Sequence, residues 1–161
     1  MIKPAHGIAG AALMALTATP ALADAHAEAA PTEKQTVMPE DEGARGFFEQ
    51  FGFSEAVVHG DTVYLSGVIV GTAPEGMSQE EVYDRTFQYL GGILERAGSS
   101  WDDVIDITTD HVDIDASMPM LSEVKNRYVK APFPAWTAID VDRLFAPEGL
   151  VEIKITARVT P

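Results

Sequence analysis

The sequence has no cysteine among its 161 residues, which excludes disulfide bonds, thiolate metal sites and cysteine nucleophiles. Basic residues are also scarce: 11 lysines and arginines stand against 25 aspartates and glutamates, giving a formal net charge of −14. A surface with this charge repels phosphate backbones and anionic membranes. We therefore expect neither nucleic acid nor a membrane among the partners of this protein.

Long apolar runs are missing except near the N-terminus. Lys3 precedes an apolar stretch over residues 7–19, and Ala21-Leu22-Ala23 then places small residues at both outer positions of a cleavage site. This order is typical of a secretory signal peptide that is cut after Ala23. We expect residues 1–23 to be removed and the mature protein to be periplasmic, with an uncleaved anchor as the alternative.

The next segment, residues 24–46, is rich in Ala, Glu, Pro and Asp and has almost no large apolar residues. Such a composition cannot bury enough surface to offset the entropy lost on ordering. It predicts a flexible leader followed by one folded domain over residues 47–161. The apolar content of the chain, 46%, is ample for a single packed core.

The domain shows the pattern ββαβαββ. Two β-rich runs, 54–59 and 62–70, flank Gly60-Asp61, a pair that suits the positive φ of a two-residue hairpin turn. Ser78 and Glu81 form a capping box ahead of apolar residues at helical spacing, and Gly98 ends that helix. The remaining predicted elements are a strand over 103–114, a helix capped by Ser117, and strands over 136–142 and 150–159. Two helices suffice to cover one face of such a sheet, which predicts an α+β fold.

The predicted strands also indicate what covers the other face. In the last strand, apolar residues from Val151 to Val159 alternate with polar ones, so the apolar set faces the helices. The second run has two apolar sets: Val63, Leu65 and Ile69 on one face, and Tyr64, Val68 and Val70 on the other. Apolar residues on a face without helices predict that identical subunits associate through it.

Several stretches of the sequence match those of a known family in their order and spacing. They are Ser54 to Val57, Gly60 to Gly67, Leu94 to Gly98, Val104 to Ile114, Phe133 to Thr137 and Leu150 to Ile153. Together they resemble the Rid family of reactive intermediate deaminases, also called the YjgF family. The resemblance implies a chorismate-mutase-like fold and a homotrimer with a ligand cleft at each subunit interface. It also implies hydrolysis of enamine and imine intermediates without a cofactor or a metal.

The resemblance identifies six candidate ligand-binding residues: Phe53, Ser66, Gly67, Lys125, Trp136 and Lys154. Of these, Ser66 and Gly67 keep the family's residue. Trp136 replaces the arginine that grips the substrate carboxylate, Lys154 replaces a water-positioning glutamate, and Phe53 and Lys125 replace a tyrosine and an asparagine. Tryptophan carries no charge and has one donor, so it cannot hold a carboxylate as a guanidinium does. No catalytic residue is therefore assigned.

Each candidate also has a structural interpretation. Trp136 is either a packing residue at the trimer interface or an aromatic wall for a ligand, and Lys154 is either a solvated lysine or the anchor of an anionic ligand. No histidine is placed by motif to activate Ser66, which favours a hydrogen-bonding role over a nucleophilic one. His111 lacks a second histidine at metal-binding spacing, which favours an ordinary strand histidine.

Two functions remain open. The first is a divergent hydrolase, similar to 2-iminobutanoate and 2-iminopropanoate deaminases, that acts on a small carbonyl-derived compound. The second is a trimeric binding protein that holds a small anionic or aromatic ligand without turning it over. Ribonuclease activity, which is sometimes ascribed to this family, fits poorly with the acidic surface.

Overall fold

A mixed β-sheet organises the part of the chain that the computed structural model describes, residues 33–160. The predicted signal peptide and residues 24–32 of the predicted leader lie outside the described residues. The strands are β1 (Gln35–Val37), β2 (Ala56–His59), β3 (Thr62–Leu65), β4 (Val68–Gly71), β5 (Val104–His111), β6 (Ala135–Asp140) and β7 (Gly149–Arg158). The helices are α1 (Glu42–Phe51), α2 (Gln79–Arg96) and α3 (Ile114–Tyr128), with a short 3₁₀ turn at Trp101–Asp103.

The long strand β7 is the centre of the sheet. The strand order of the sheet is β1-β2-β3-β7-β5-β6, and β4 pairs with β7 beyond the end of β3. Every pairing is antiparallel except β5 with β6, which are parallel and are connected through α3. Helices α2 and α3 pack against each other and against one face of the sheet. The predicted α+β fold with two helices on one face is confirmed.

Local sequence signals fix the ends of the helices. The Ser78 hydroxyl accepts a hydrogen bond from the Glu81 amide at 3.2 Å, and the Glu81 carboxylate accepts one from the Ser78 amide at 2.8 Å. Helix α3, however, begins earlier than predicted, because Asp113 caps it by accepting a hydrogen bond from the Ala116 amide at 3.0 Å. Ser117 is inside the helix, so the predicted start at Ser117 is wrong, and β5 ends at His111 rather than at 114.

The face assignment of β7 is confirmed. Val151, Ile153, Ile155 and Ala157 are fully buried beneath the helices, while Lys154 and Arg158 on the opposite side are exposed. This alternation follows from the two-residue period of a strand.

The face assignment of the second β-rich run is wrong beyond Leu65. The run is interrupted at Ser66-Gly67, so Val68 follows Leu65 by three positions and both side chains still point towards the helices. Val68 and Val70 lie beside Ile153 and Val151, whereas Ile69 lies opposite Glu152 on the helix-free face. The prediction assumed one continuous strand, and a break of this kind shifts the alternation by one residue.

The folded domain also begins earlier than predicted. Strand β1 pairs with β2, and α1 follows it, so residues 35–46 belong to the fold rather than to a flexible leader that ends before Phe47. The Asp41 carboxylate caps α1 by accepting a hydrogen bond from the Ala44 amide at 2.8 Å, and Gly52 ends the helix with φ of 72°. The flexible leader was predicted from average composition, which does not register single capping residues such as Asp41 and Gly52. None of the helices in residues 33–160 is both long and apolar enough to cross a membrane.

Candidate functional site

A cavity of about 710 Å³ opens beside the break between β3 and β4. Its walls come from α1 and the segment that follows it, the break itself, β4, α2, the loop before β7, and β7. The lining residues are Phe47, Phe48, Phe51, Phe53, Ser66, Gly67, Val68, Ile69, Tyr89, Phe145, Ala146 and Glu152. A volume of this size suits a small organic molecule.

Phenylalanine rings form the apolar wall of the cavity. Phe47, Phe48 and Phe51 are supplied by α1 and lie next to Phe53, which follows the helix. The rings of Phe48 and Phe53 are 4.4 Å apart between centroids, and Phe51 approaches Phe145 at 5.7 Å. These separations are those of favourable aromatic pairs. Helix α1 therefore builds one side of the site.

The charged group of the cavity is Glu152. Among the lining residues in the described part of the chain, it is the one ionisable carboxyl or amine. Burial raises the pKa of Glu152, nearby Asp110 raises it further, and Lys154 opposes the shift. The site therefore combines an apolar wall with a carboxyl group that binds protons more readily than an exposed one.

Gly67 makes room for this carboxyl group. A Cβ atom at position 67 would stand 2.7 Å from Cδ and 2.9 Å from Cγ of Glu152, closer than packed atoms allow. The neighbouring Ser66 hydroxyl donates a hydrogen bond to the Ser54 carbonyl oxygen at 2.7 Å. Ser66 thus has a hydrogen-bonding role in holding the break against the preceding loop.

Lys125 and Trp136 form a separate pair between α3 and the sheet. The register of β6 against β5 places Trp136 beside the buried Ile107, on the helix side. The Lys125 ammonium lies 4.5 Å from the centroid of the Trp136 ring, and the Trp136 indole donates a hydrogen bond to the Thr109 hydroxyl at 3.0 Å. Burial lowers the pKa of Lys125, whose side chain donates to Asn126 Oδ1 at 2.8 Å.

His111 extends this cluster into the core and has structural partners on both ring nitrogens. The Ser117 hydroxyl donates to the Asp113 carbonyl at 2.6 Å, so it accepts the hydrogen bond from His111 Nδ1, also at 2.6 Å. Nε2 lies 2.9 Å from the Thr109 hydroxyl. Burial lowers the pKa of His111, and Asp140 and Asp110 partly offset this effect. No group of three or more potential ligands is placed to hold a metal ion in residues 33–160.

The structure divides the six predicted site residues among three places. Phe53, Ser66 and Gly67 line the cavity. Lys125 and Trp136 contact each other on the helix side, and Lys154 is exposed on the helix-free face opposite Thr108. Within one chain, Lys154 and Trp136 therefore lie on opposite faces of the sheet, so a ligand site that includes both needs two subunits, as the predicted cleft at the subunit interface does.

Sequence reasoning missed Glu152 and the phenylalanines of α1. Strand alternation had already placed Glu152 on the same face as Lys154, but the resemblance drew attention to position 154. The phenylalanines fell at the boundary of the predicted leader. The available signals were the acidic N-cap at Asp41 and the aromatic residues that follow it at helical spacing.

A mixed sheet with two helices on one face and an aromatic cavity beside the β3–β4 break defines a small α+β domain of the chorismate-mutase-like class. A family model described as Endoribonuclease L-PSP matches residues 49–159. The chain belongs to this family, which is also known as the YjgF or Rid family.

Individual relatives agree with this assignment. The RutC family protein YjgH of Escherichia coli (strain K12) is 31% identical over 131 residues, which cover 79% of this chain and 96% of the relative. A solved structure of protein YjgH has a TM-score of 0.66 at 30% identity and covers 80% of this chain and 98% of its own. RidA from an Antarctic Psychrobacter has a TM-score of 0.61 at 28% identity, covering 78% and 99%.

Proposed function

We propose that this protein is a hydrolase for a small imine or enamine and that Glu152 is the group that handles water in its cavity. The observation that supports this proposal is the Glu152 carboxyl group, with its raised pKa, beside Ser66 and Gly67 in an aromatic cavity. A carboxyl group that titrates closer to neutral pH exchanges protons more efficiently in both directions.

The proposed reaction converts a protonated imine and water into a carbonyl compound and ammonium. The Glu152 carboxylate takes a proton from water as the water oxygen bonds to the imine carbon, and the C=N π electrons move to nitrogen. The protonated Glu152 then returns this proton to the amine nitrogen of the carbinolamine. The carbon–nitrogen bond breaks, the hydroxyl group becomes the carbonyl as its proton passes to the departing ammonia, and ammonium leaves.

Substrates with a carboxylate are poor candidates for this cavity. Trp136 occupies the position of the family's carboxylate-binding arginine, and it has no charge with which to replace it. In the described part of the chain, the lining residues of the cavity include no lysine, arginine or histidine. A second carboxylate would be repelled by Glu152.

The test is release of ammonium from an imine generated in place by a flavin amine oxidase acting on 2-phenylethylamine. We expect the protein to accelerate the loss of imine and Glu152→Gln to reduce the rate by about 100-fold, which is within the range for one proton-transfer group. Glu95→Gln is the matched control, because Glu95 is an exposed residue of α2 that does not line the cavity. A wild-type rate equal to the uncatalysed rate, with ligand binding retained, would favour the binding protein.

We also propose that the protein is a homotrimer exported to the periplasm. The export proposal rests on the signal sequence of residues 1–23. Mass spectrometry of protein recovered from its native host should find an N-terminus at Asp24. Soluble cytoplasmic protein that still carries Met1 would contradict it.

A further inference from the structure

We propose that the phenylalanine-lined cavity is selective for an apolar organic cation, an iminium or a primary ammonium ion that bears an aromatic or aliphatic group and no carboxylate. That such a cation is a substrate rests on the proposed hydrolase function. Binding of the cation, in contrast, can be measured without any turnover.

The negative charge of the cavity favours a cationic ligand. Glu152 is half-buried, and within residues 33–160 its pKa is affected by burial and by two charges, with no hydrogen bond to the carboxylate. Asp110 lies directly across from Glu152 in the β5–β7 pairing and adds negative potential. An unpaired carboxylate in partly apolar surroundings gains most from a ligand that brings a positive charge.

The phenylalanine rings favour a ligand that also has an apolar group. Phe48 and Phe53 stand 4.4 Å apart, and Phe47 approaches Phe53 at 6.0 Å, so several aromatic faces and edges border one space. Aromatic faces attract cations and also bury apolar groups. A ligand with both features satisfies the carboxylate and the rings at once.

Phe51 and Phe145 are 52% and 74% exposed, so the mouth of the cavity is open in the single chain. Association of subunits through the helix-free face would bury Glu152 together with Ile69, which lies opposite it. A buried carboxylate without a partner is costly. A small cation removes this cost, and a neutral or anionic ligand does not.

The iminium form places the cation at the reacting atoms. Attraction between Glu152 and the iminium nitrogen brings the carboxylate next to the carbon that water attacks. The apolar group then lies against α1, so that Phe47, Phe48 and Phe51 determine which substituents fit. Phe48→Ala should therefore change selectivity among apolar groups more than it changes selectivity for charge.

Calorimetric titration of the mature protein tests the inference with three probes of similar shape, which are 2-phenylethylammonium, 2-phenylethanol and phenylacetate. We expect the ammonium ion to bind at least about 10-fold more tightly than the alcohol, and phenylacetate to bind most weakly. This factor corresponds to about 1.4 kcal/mol. Glu152→Gln should lower the ammonium affinity to that of the alcohol and leave the alcohol affinity unchanged, while Glu95→Gln should change neither.

The outcomes separate this inference from the proposed function. Equal affinities for the three probes, tightest binding of phenylacetate, or no binding of any probe would overturn the cation selectivity. Cation binding without imine hydrolysis would retain the selectivity and contradict the hydrolase. Hydrolysis of imines without any preference for cations would retain the hydrolase and contradict the selectivity. If Glu152→Gln fails to fold, Gly67→Ala provides the same test, because its Cβ displaces the carboxylate.

Discussion

The side chain of Glu152 lies against Gly67, with Cδ and Cγ 2.7 Å and 2.9 Å from the point where a Cβ on residue 67 would stand. The absence of a side chain at this position allows the β7 carboxylate to turn into the cavity. The break between β3 and β4 brings Gly67 to this point, so the interrupted strand and the position of the carboxylate are one structural feature.

Gly67→Ala should displace the Glu152 carboxylate and weaken cation binding by about 10-fold, because the added methyl group occupies its space. Thermal unfolding should change little, since the displaced atoms are at the end of a flexible side chain. Gly46→Ala, which meets nothing within 4 Å on exposed α1, is the matched control and should leave binding intact. Unchanged cation affinity in Gly67→Ala would contradict the assigned position of the carboxylate.

The pH dependence of stability should show the raised pKa of Glu152. A carboxyl group whose pKa is higher in the folded state contributes stability below its unfolded pKa, about 4.3, and that contribution is lost as pH rises through the folded pKa. Replacing Glu152 by Gln should therefore stabilise the protein more at pH 7 than at pH 4. Denaturant titrations of both proteins at several pH values measure this difference, and a constant difference would be inconsistent with the raised pKa.

Lys125→Met should stabilise the protein by about 1 kcal/mol at pH 7, a rise in Tm of a few degrees. Lys125 is 7% exposed and its pKa is lowered by burial, so the ammonium costs free energy that a thioether side chain does not. Lys154→Met changes an exposed lysine and is the control, for which we expect little effect on thermal unfolding. A loss of stability in Lys125→Met would indicate that contact with Trp136 outweighs the cost of burial.

Arg96→Met should destabilise the protein by about 2 kcal/mol. Arg96 pairs at 2.5 Å with Glu55, whose side chain is 1% exposed, and its removal leaves that carboxylate with the Tyr89 hydroxyl as its remaining side-chain partner among the described residues. Arg158→Met breaks a pair with Asp61 in which both side chains are more than half exposed, so it should have little effect. Denaturant unfolding of the two variants provides the comparison, and equal losses would refute the distinction.

The protein should be a trimer at micromolar concentration. The helix-free face exposes Tyr64 and Ile139, at 48% and 47%, and Ile69 lies on the same face. Burying apolar surface contributes about 25 cal/mol per Å² to association. Light scattering should give three times the mass of the mature chain, and Tyr64→Glu should reduce it, whereas Tyr64→Phe should not. A monomer mass for the unmodified protein would contradict this prediction.

The resemblance and the local patterns predicted most of the fold but less of the site. Phe53, Ser66 and Gly67 line one cavity, because the hydrogen bond from the Ser66 hydroxyl to the Ser54 carbonyl holds the break against the loop that carries Phe53. Lys154 and Trp136 lie on opposite faces of the sheet within one chain, so their meeting in a cleft between two subunits stays a prediction. Glu152 is two residues away from the predicted position and on the same face.

Features that depend on neighbouring residues could be read directly from the order of amino acids. The capping box of Ser78 and Glu81, the positive φ of Gly60 and Gly98, and the alternation of β7 each involve groups within a few residues of one another. The cavity has no such local signal. It joins α1, the β3–β4 break and β7, which are distant along the chain, and its carboxylate acquires a raised pKa only when packing removes it from water.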